Sequence, residues 1–212
     1  MKKYYYGNPS APVVLIQMID EHDLEHMDNE VSMIRENSAT DFFLIAIRAN
    51  VWNHDLSPWN APPVFGKVNF GDGAKDTLPE ILNLCPDKSK TYLIGGYSLA
   101  GLFAIWASYQ TDIFTGVAAA SPSMWFPGFL EYMKEHNILT NAVYLSLGDK
   151  EAKTKNPVIA TVSDKISEAR DCLSKQGCSC HFEWNPGNHF KDSDIRTAKA
   201  FSWLMNKVNY TL

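Results

Sequence analysis

The sequence predicts an α/β fold with about six mainly parallel strands and helices on both faces. Three observations carry this. Six short runs have strand character, most of them are continuously apolar, and segments of helical period stand between them. Strands buried on both faces lose the polar–apolar alternation of half-exposed ones. Strand alternating with helix along a chain means βαβ units and a three-layer arrangement. No linker-like stretch or internal repeat interrupts the 212 residues, so 1–212 reads as one domain in a minimal form, with no room for a lid domain.

In order, the strand runs are PVVLIQMI (12–19), FFLIAIR (42–48), TYLIG (91–95), TGVAAA (115–120), AVYLSL (142–147) and CHFEW (180–184). After the first, Leu24, Met27, Val31 and Ile34 make one apolar helical stripe. After the third, LAGLFAIWASYQ continues as a helix from Leu99 to about Gln110. Val158, Val162, Ile166, Ala169 and Leu173 make another stripe, with Pro157 in its first turn and Gly177 past its end. A last helix starts near Asp192 or Ser193 and carries Ile195, Ala198, Phe201 and Leu204.

Composition narrows the function classes. A hydrophobic fraction of 45% and a charged fraction of 20% are those of an ordinary globular chain. A net charge of −5 without a Lys/Arg cluster argues against nucleic acid or an anionic membrane as partner. Lys2 and Lys3 precede an apolar run, Ala11 to Ile19, that ends at Asp20 without a cleavage site, and no run approaches membrane-spanning length. The expected location is cytoplasmic. Cys85, Cys172, Cys178 and Cys180 are too few and too unevenly spaced for a disulfide framework. Cys178 and Cys180 lack the second pair a zinc site needs. His22 and His26 match H-x-x-E-H, but on an amphipathic helix they face solvent and no third ligand is evident farther on. No metal and no cofactor are expected.

The chemistry centres on YLIGGYSLAGLF, residues 92 to 103. A serine raised on a sharp strand-to-helix turn needs small neighbours, because the two backbones pass close together there. Gly96 and Ala100 meet that need around Ser98, and Gly101 adds clearance, although G-x-S-x-G is broken by the methyl at 100. The helix N-terminus behind Ser98 offers backbone N–H groups to developing negative charge. Taken alone, the stretch also reads as a Gly-rich turn with a serine cap. Two later loops change the balance. GDKEAKTKNP follows the fifth strand with Asp149 and Glu151, and EWNPGNHFKDSD brings His189 just before the last helix. Serine, acid and histidine thus follow in the order expected of a nucleophile elbow, each on a loop leaving the carboxyl end of a strand. His189 would act as base toward Ser98, with Asp149 or Glu151 orienting its ring.

These segments resemble a known family. GGYSLAG, AAASPSMW, LSLGDKE and NPGNHF look like the esterase branch of the α/β-hydrolases, the group of enterochelin-type esterases and S-formylglutathione hydrolase relatives, over about residues 11 to 207. The resemblance implies a serine hydrolase with no cofactor, in which the acid stands three residues after the glycine ending its strand. Glu151 stands so after Gly148, and is favoured over Asp149. It also implies an oxyanion hole from the Leu99 N–H and an N–H of the loop after the first parallel strand. Family members commonly have His-Gly where this chain has Ile19-Asp20, so that donor is expected between Ile19 and Glu21. By the family's strand order the second and third strands flank the first, and Ser98 sits at the switch point of the sheet. The antiparallel strands that usually precede the first parallel one are expected to be missing, since only MKKYYYGNPS stands before it.

Trp52, Trp59, Trp125 and Trp184 lie in loops or at strand ends on the catalytic side, and ANVWNHDLSPWNAPPVFG is the longest irregular segment. Long loops of this composition tend to carry function. Trp52, Asn53, Trp59, Tyr97 and Trp125 are the expected pocket residues; packing of the loops is the alternative use of the tryptophans. The expected reaction is hydrolysis of a small-molecule carboxylic ester through an acyl-enzyme on Ser98. An idle hydrolase-like binding protein and an acyltransferase with the same triad are the rivals, and a homodimer stays open.

Overall fold

A computed structural model describes residues 1–208. Its elements are β1 (Lys2–Gly7), β2 (Val13–Ile19), α1 (Glu21–Asn37), β3 (Phe42–Arg48), α2 (Trp52–Asp55), α3 (Ala74–Leu82), β4 (Thr91–Tyr97), α4 (Leu99–Gln110), β5 (Phe114–Ala120), α5 (Phe129–Glu135), β6 (Ala142–Gly148), α6 (Val162–Lys175), β7 (Ser179–Asn185) and α7 (Ser193–Val208). The strands make one sheet in the order β1-β3-β2-β4-β5-β6-β7. All neighbours are parallel except β1 and β3.

The continuously apolar strands are explained by two cores. All seven residues of β2 are buried. Val13, Leu15 and Ile19 join Met27, Val31 and Ile34 of α1 and Ala198, Phe201 and Leu204 of α7 on one face. Val14, Ile16 and Met18 join residues of α3, α4, α5 and α6 on the other. Each strand residue therefore finds an apolar neighbour whichever way it points. Leu24 is half-buried at the start of the α1 stripe.

Two expectations are corrected. The sheet has seven strands, because β1 pairs antiparallel with β3 from Lys2↔Arg48 to Gly7↔Phe43. Tyr4 and Tyr6 pack toward the α1/α7 core, while Tyr5 turns outward and stacks on Phe43 at 5.8 Å. An edge strand needs a ladder on one side only, so its half-polar pattern carries little of the signal that marks the inner strands. The second correction concerns Pro157 and Val158, which lie ahead of α6 instead of in its first turn. Asn156 Oδ1 accepts from Val158 N and Ile159 N at 3.0 and 3.2 Å and starts a short 3₁₀ turn at Ile159–Thr161, which delays the α-helix to Val162. Helices α2, α3 and α5 are not expected from the sequence, and α2 falls inside the segment expected to be irregular.

β2 lies between β3 and β4, so the chain reverses its direction of travel across the sheet at β4, and Ser98 follows directly from that strand. Loops at the carboxyl ends of β2, β4, β5, β6 and β7 meet at this crevice.

Candidate active site

Ser98 occupies the single residue between β4 and α4, at φ 56° and ψ −120°. Such a conformation is strained for a residue with a side chain and persists only where neighbours hold it. Three backbone bonds do so: Ser98 N donates to Ala120 O at 3.1 Å, and Ser98 O accepts from Leu102 N and Ser123 N, each at 3.1 Å. The broken G-x-S-x-G is accounted for by distances. Gly96 has φ 155°, and a Cβ there would stand 2.6 Å from the Ala100 methyl. A Cβ on Gly101 would stand 3.0 Å from Gly96 O and 3.3 Å from Pro122. The tight crossing of helix over strand falls at 101, and position 100 has room for one methyl.

The Ser98 hydroxyl lies 3.0 Å from His189 Nε2 and 3.2 Å from the Ser123 hydroxyl. His189 Nδ1 lies 2.7 Å from Glu151 Oε2. With the carboxylate ionised, Nδ1 carries the proton and donates to Glu151, which leaves Nε2 to accept from Ser98. Glu151 is 7% exposed. Its Oε1 accepts from Gly148 N at 2.7 Å, Ser121 Oγ at 2.8 Å and Arg196 Nη1 at 2.9 Å. Burial pushes this carboxyl up, but the hydrogen bond and charge of His189, the Gly148 N–H and the Ser121 hydroxyl outweigh it, and the carboxyl stands below its ordinary value. Asp149, the other acid considered, is exposed and accepts from Gly187 N at 2.7 Å, joining the acid loop to the histidine loop without touching the ring.

Of the expected pocket residues, Tyr97 lies elsewhere in the site than anticipated. It is buried, its ring packs on His189 at 5.2 Å, and its hydroxyl donates to His189 O at 2.8 Å. Burial, then the charge of Glu151, push this phenol up to about 12, so it stays a donor. Trp125 sits on the Ser123 loop, buried edge-to-face against Phe65 and tilted against Phe70. Phe65 itself is 49% exposed. Trp59 is committed to packing: its Nε1 donates to Pro127 O at 2.9 Å and its ring meets Phe126, Phe129 and Tyr132. Trp52 and Asn53 are half-buried in α2, where Asn53 O accepts from Ser57 Oγ and Gly71 N. Trp184 is exposed on the edge strand β7.

The structure separates the amides at the β2–α1 corner. Ile19 O accepts from Ala49 N at 3.1 Å, so the polar groups of Ile19 face β3, away from Ser98. Ile19 is therefore removed from the oxyanion candidates. Across the trans peptide the Asp20 N–H points the opposite way, toward β4. That N–H donates to Asp23 Oδ2 at 3.2 Å while the Asp20 side chain accepts from Asp23 N at 2.8 Å, a reciprocal cap on α1. Burial, then the charge of Asp20, push the Asp23 carboxyl up to about 7. Leu99 is the first residue of α4, where a helical N–H has no carbonyl four residues back.

Ser121, Ser123 and Arg196 were not anticipated as parts of the site. The two serines lie in the quoted SPSMW stretch, and Ser121 stands at φ 44° with its N–H on Ser146 O. A signal for them was present, but no role. Arg196 is one cation in an amphipathic helix, and nothing local sets it apart. The His22 and His26 rings meet edge-to-face at 4.9 Å, and Glu25 brings a third possible ligand atom within 4.8 Å, all three exposed.

No protein-family model and no curated protein matches the chain. Solved structures do. The chain is similar to an IroE-like serine hydrolase from Shewanella oneidensis, with TM-score 0.75 and 16% identity over 96% of this chain and 75% of that one. It is similar to the enterobactin esterase FES from Shigella flexneri, solved in the presence of 2,3-di-hydroxy-N-benzoyl-glycine, with TM-score 0.65 and 15% identity over 97% of this chain. The match spans 55% of that esterase's length. A Bacillus cereus carboxylesterase matches with TM-score 0.58 and 14% identity over 97% of this chain and 94% of the other. At such identities the likeness establishes architecture: the chain has the α/β-hydrolase fold. No helix among the described residues is long and apolar enough to cross a membrane.

Proposed function

We propose that the chain is a serine esterase that hydrolyses small-molecule carboxylic esters through an acyl-enzyme on Ser98. The observation that carries this reading is the unbroken line from Ser98 Oγ to His189 Nε2 at 3.0 Å and from His189 Nδ1 to Glu151 Oε2 at 2.7 Å. His189 takes the Ser98 proton as the hydroxyl attacks the ester carbonyl, then gives it to the departing alcohol. Glu151 holds the ring in the tautomer that leaves Nε2 basic and stabilises the imidazolium as it forms. The oxyanion of the tetrahedral intermediate is received by the Leu99 N–H and, from the β2–α1 corner, by the Glu21 N–H, since the Asp20 N–H is taken by Asp23. Water then attacks the acyl carbonyl as His189 removes its proton, and the Ser98–acyl bond breaks as His189 returns that proton to the Ser98 oxygen, releasing the acid.

The aromatic surroundings support an ester with an aromatic or bulky apolar part. Trp125 and Phe65 form the wall we assign to it, beside the loop that brings Ser123 to Ser98. We assign Trp52 and Asn53 to its margin, with Trp59 stiffening the wall from behind. The names of the structural neighbours, two of them esterases, agree with this chemistry.

The reading is tested by treating folded protein with a fluorophosphonate probe and by assaying acetyl, feruloyl and longer acyl esters. Labelling that is lost in Ser98→Ala, with turnover of at least one ester, is the expected result. A chain that neither labels nor turns over any ester would be an idle binding module. Trp125→Ala is expected to change the ranking of acyl esters; an unchanged ranking removes it from the pocket.

A further inference from the structure

We propose that Arg196 is a positioning residue of this site: one guanidinium ties the triad acid to the loop that carries the histidine and opposes protonation of the pair. The inference rests on the esterase reading for its kinetic part only. Arg196 stands in the first turn of α7 and is 1% exposed. Its Nη1 donates to Glu151 Oε1 at 2.9 Å, to the Tyr97 hydroxyl at 3.0 Å and to Ser121 Oγ at 3.1 Å. Its Nη2 donates to Asn188 O at 3.0 Å and Pro186 O at 3.2 Å. Those two carbonyls flank Gly187, and that of Asn188 belongs to the residue just before His189. One rigid planar group therefore gathers β4, the loops after β5 and β6, and the loop after β7. The separation between acid and base is set by a side chain that touches neither Oε2 nor the imidazole.

Geometry and charge can be separated here. A planar fork can bond a carboxylate with one arm and loop carbonyls with the other, whereas a lysine brings the charge on a single nitrogen. The fork positions; the charge acts on protonation. Other ionisable groups on the elements around the pair are Tyr97 from β4, Asp149 and Lys150 on the acid loop, and Lys191 and Asp192 on the histidine loop. The Tyr97 phenol is neutral, Asp149 is occupied by the Gly187 N–H, and the Lys191 ammonium is 3.7 Å from Asp192. Arg196 is thus the buried positive charge bonded to Glu151 besides any on His189 itself. A cation there makes uptake of a proton by the His189–Glu151 pair less favourable, so its removal moves that uptake to higher pH.

The test follows the His189 ring by NMR through its titration in wild type, Arg196→Met and Arg196→Lys, alongside kcat and KM for an ester the wild type turns over. In the Met variant the titration midpoint and the acid limb of kcat/KM are expected to move to higher pH. Its kcat is expected to fall about tenfold or more, with KM within about twofold. In the Lys variant the midpoint stays near that of wild type while kcat still falls. A midpoint unmoved in the Met variant, or a loss carried by KM alone, overturns the proposal. Should the Met variant fail to fold, the Lys variant decides: an undiminished kcat overturns the proposal, and a lowered kcat at an unmoved midpoint supports it. A wild type without turnover would sink the esterase reading, and the NMR midpoints would still decide the role of Arg196.

Discussion

Glu151 at the carboxyl end of the sheet and Glu30 against its middle are almost equally hidden from water, 7% and 2% exposed, yet their surroundings treat them in opposite ways. Glu151 accepts from a backbone N–H, a hydroxyl and a guanidinium on one oxygen and faces His189 with the other. Glu30, on α1, accepts from Gln17 Nε2 alone, at 3.2 Å. Among the described residues its Oε1 and the Oε1 of Gln17 have no hydrogen-bond partner. The Glu151 carboxyl stands below its ordinary value. Burial pushes the Glu30 carboxyl well above its own, and Asp23 and Asp194 add to the push against the Gln17 bond. Burial alone does not decide whether an acid is ionised; the donors brought to it do. Charge is kept where the proposed chemistry needs it and suppressed where α1 merely packs.

Substitution is expected to act most strongly at the proposed triad. Ser98→Ala and His189→Ala are expected to lower kcat about 10⁴-fold or more, and Glu151→Ala somewhat less, all measured with a saturating ester. Near-normal turnover in Ser98→Ala would end the assignment. Next comes Arg196→Met, which strips a buried carboxylate of its cation. We expect a loss of about 3 to 5 kcal/mol in denaturant unfolding. Glu30→Gln should go the other way and stabilise the protein by about 1 kcal/mol at neutral pH.

The pH dependence of these two glutamates has opposite sign. For Glu30 the folded-state value is raised, so its contribution is fully present below the ordinary carboxylate range and is lost as pH rises through the folded value. The Gln variant should therefore match wild type in acid and exceed it at neutral pH. For Glu151 the value is lowered, so its contribution is present above the ordinary range and lost as pH falls through the folded value. Unfolding curves of both Gln variants across pH test this; slopes of the same sign would refute the contrast. The smallest effect is expected at Asp149→Ala, within about threefold in kcat, because its carboxylate bonds Gly187 N and not the ring.

Much of this arrangement was legible beforehand. Each inner strand and the helices α1, α4, α6 and α7 were readable, because continuous apolar runs and apolar stripes are local consequences of facing a core. Ser98 and His189 stood out by order and by loop, as did the loop bearing Asp149 and Glu151, between which the family resemblance favoured Glu151. β1 was not legible, since an exposed edge with Lys2 and Lys3 looks like any polar segment until Phe43 and Arg48 supply its ladder. Arg196 was hidden for a related reason. On a helical wheel it is one cation near Ile195, and only the end of β4 and the loops after β5, β6 and β7 together bring five acceptors around it.

By itself, then, the sequence determined what depends on neighbours within a few residues: strand and helix, the small side chains around Ser98, and which loop bears which chemical group. The tertiary structure alone decided which oxygen of which acid meets the imidazole, that Ile19 faces β3 while the Asp20 amide faces β4, and that Arg196 closes the polar layer behind Glu151. Those outcomes turn on distances of about 3 Å between residues far apart in the chain, over which a hydrogen bond is made or lost. Periodicity carries no information at that range.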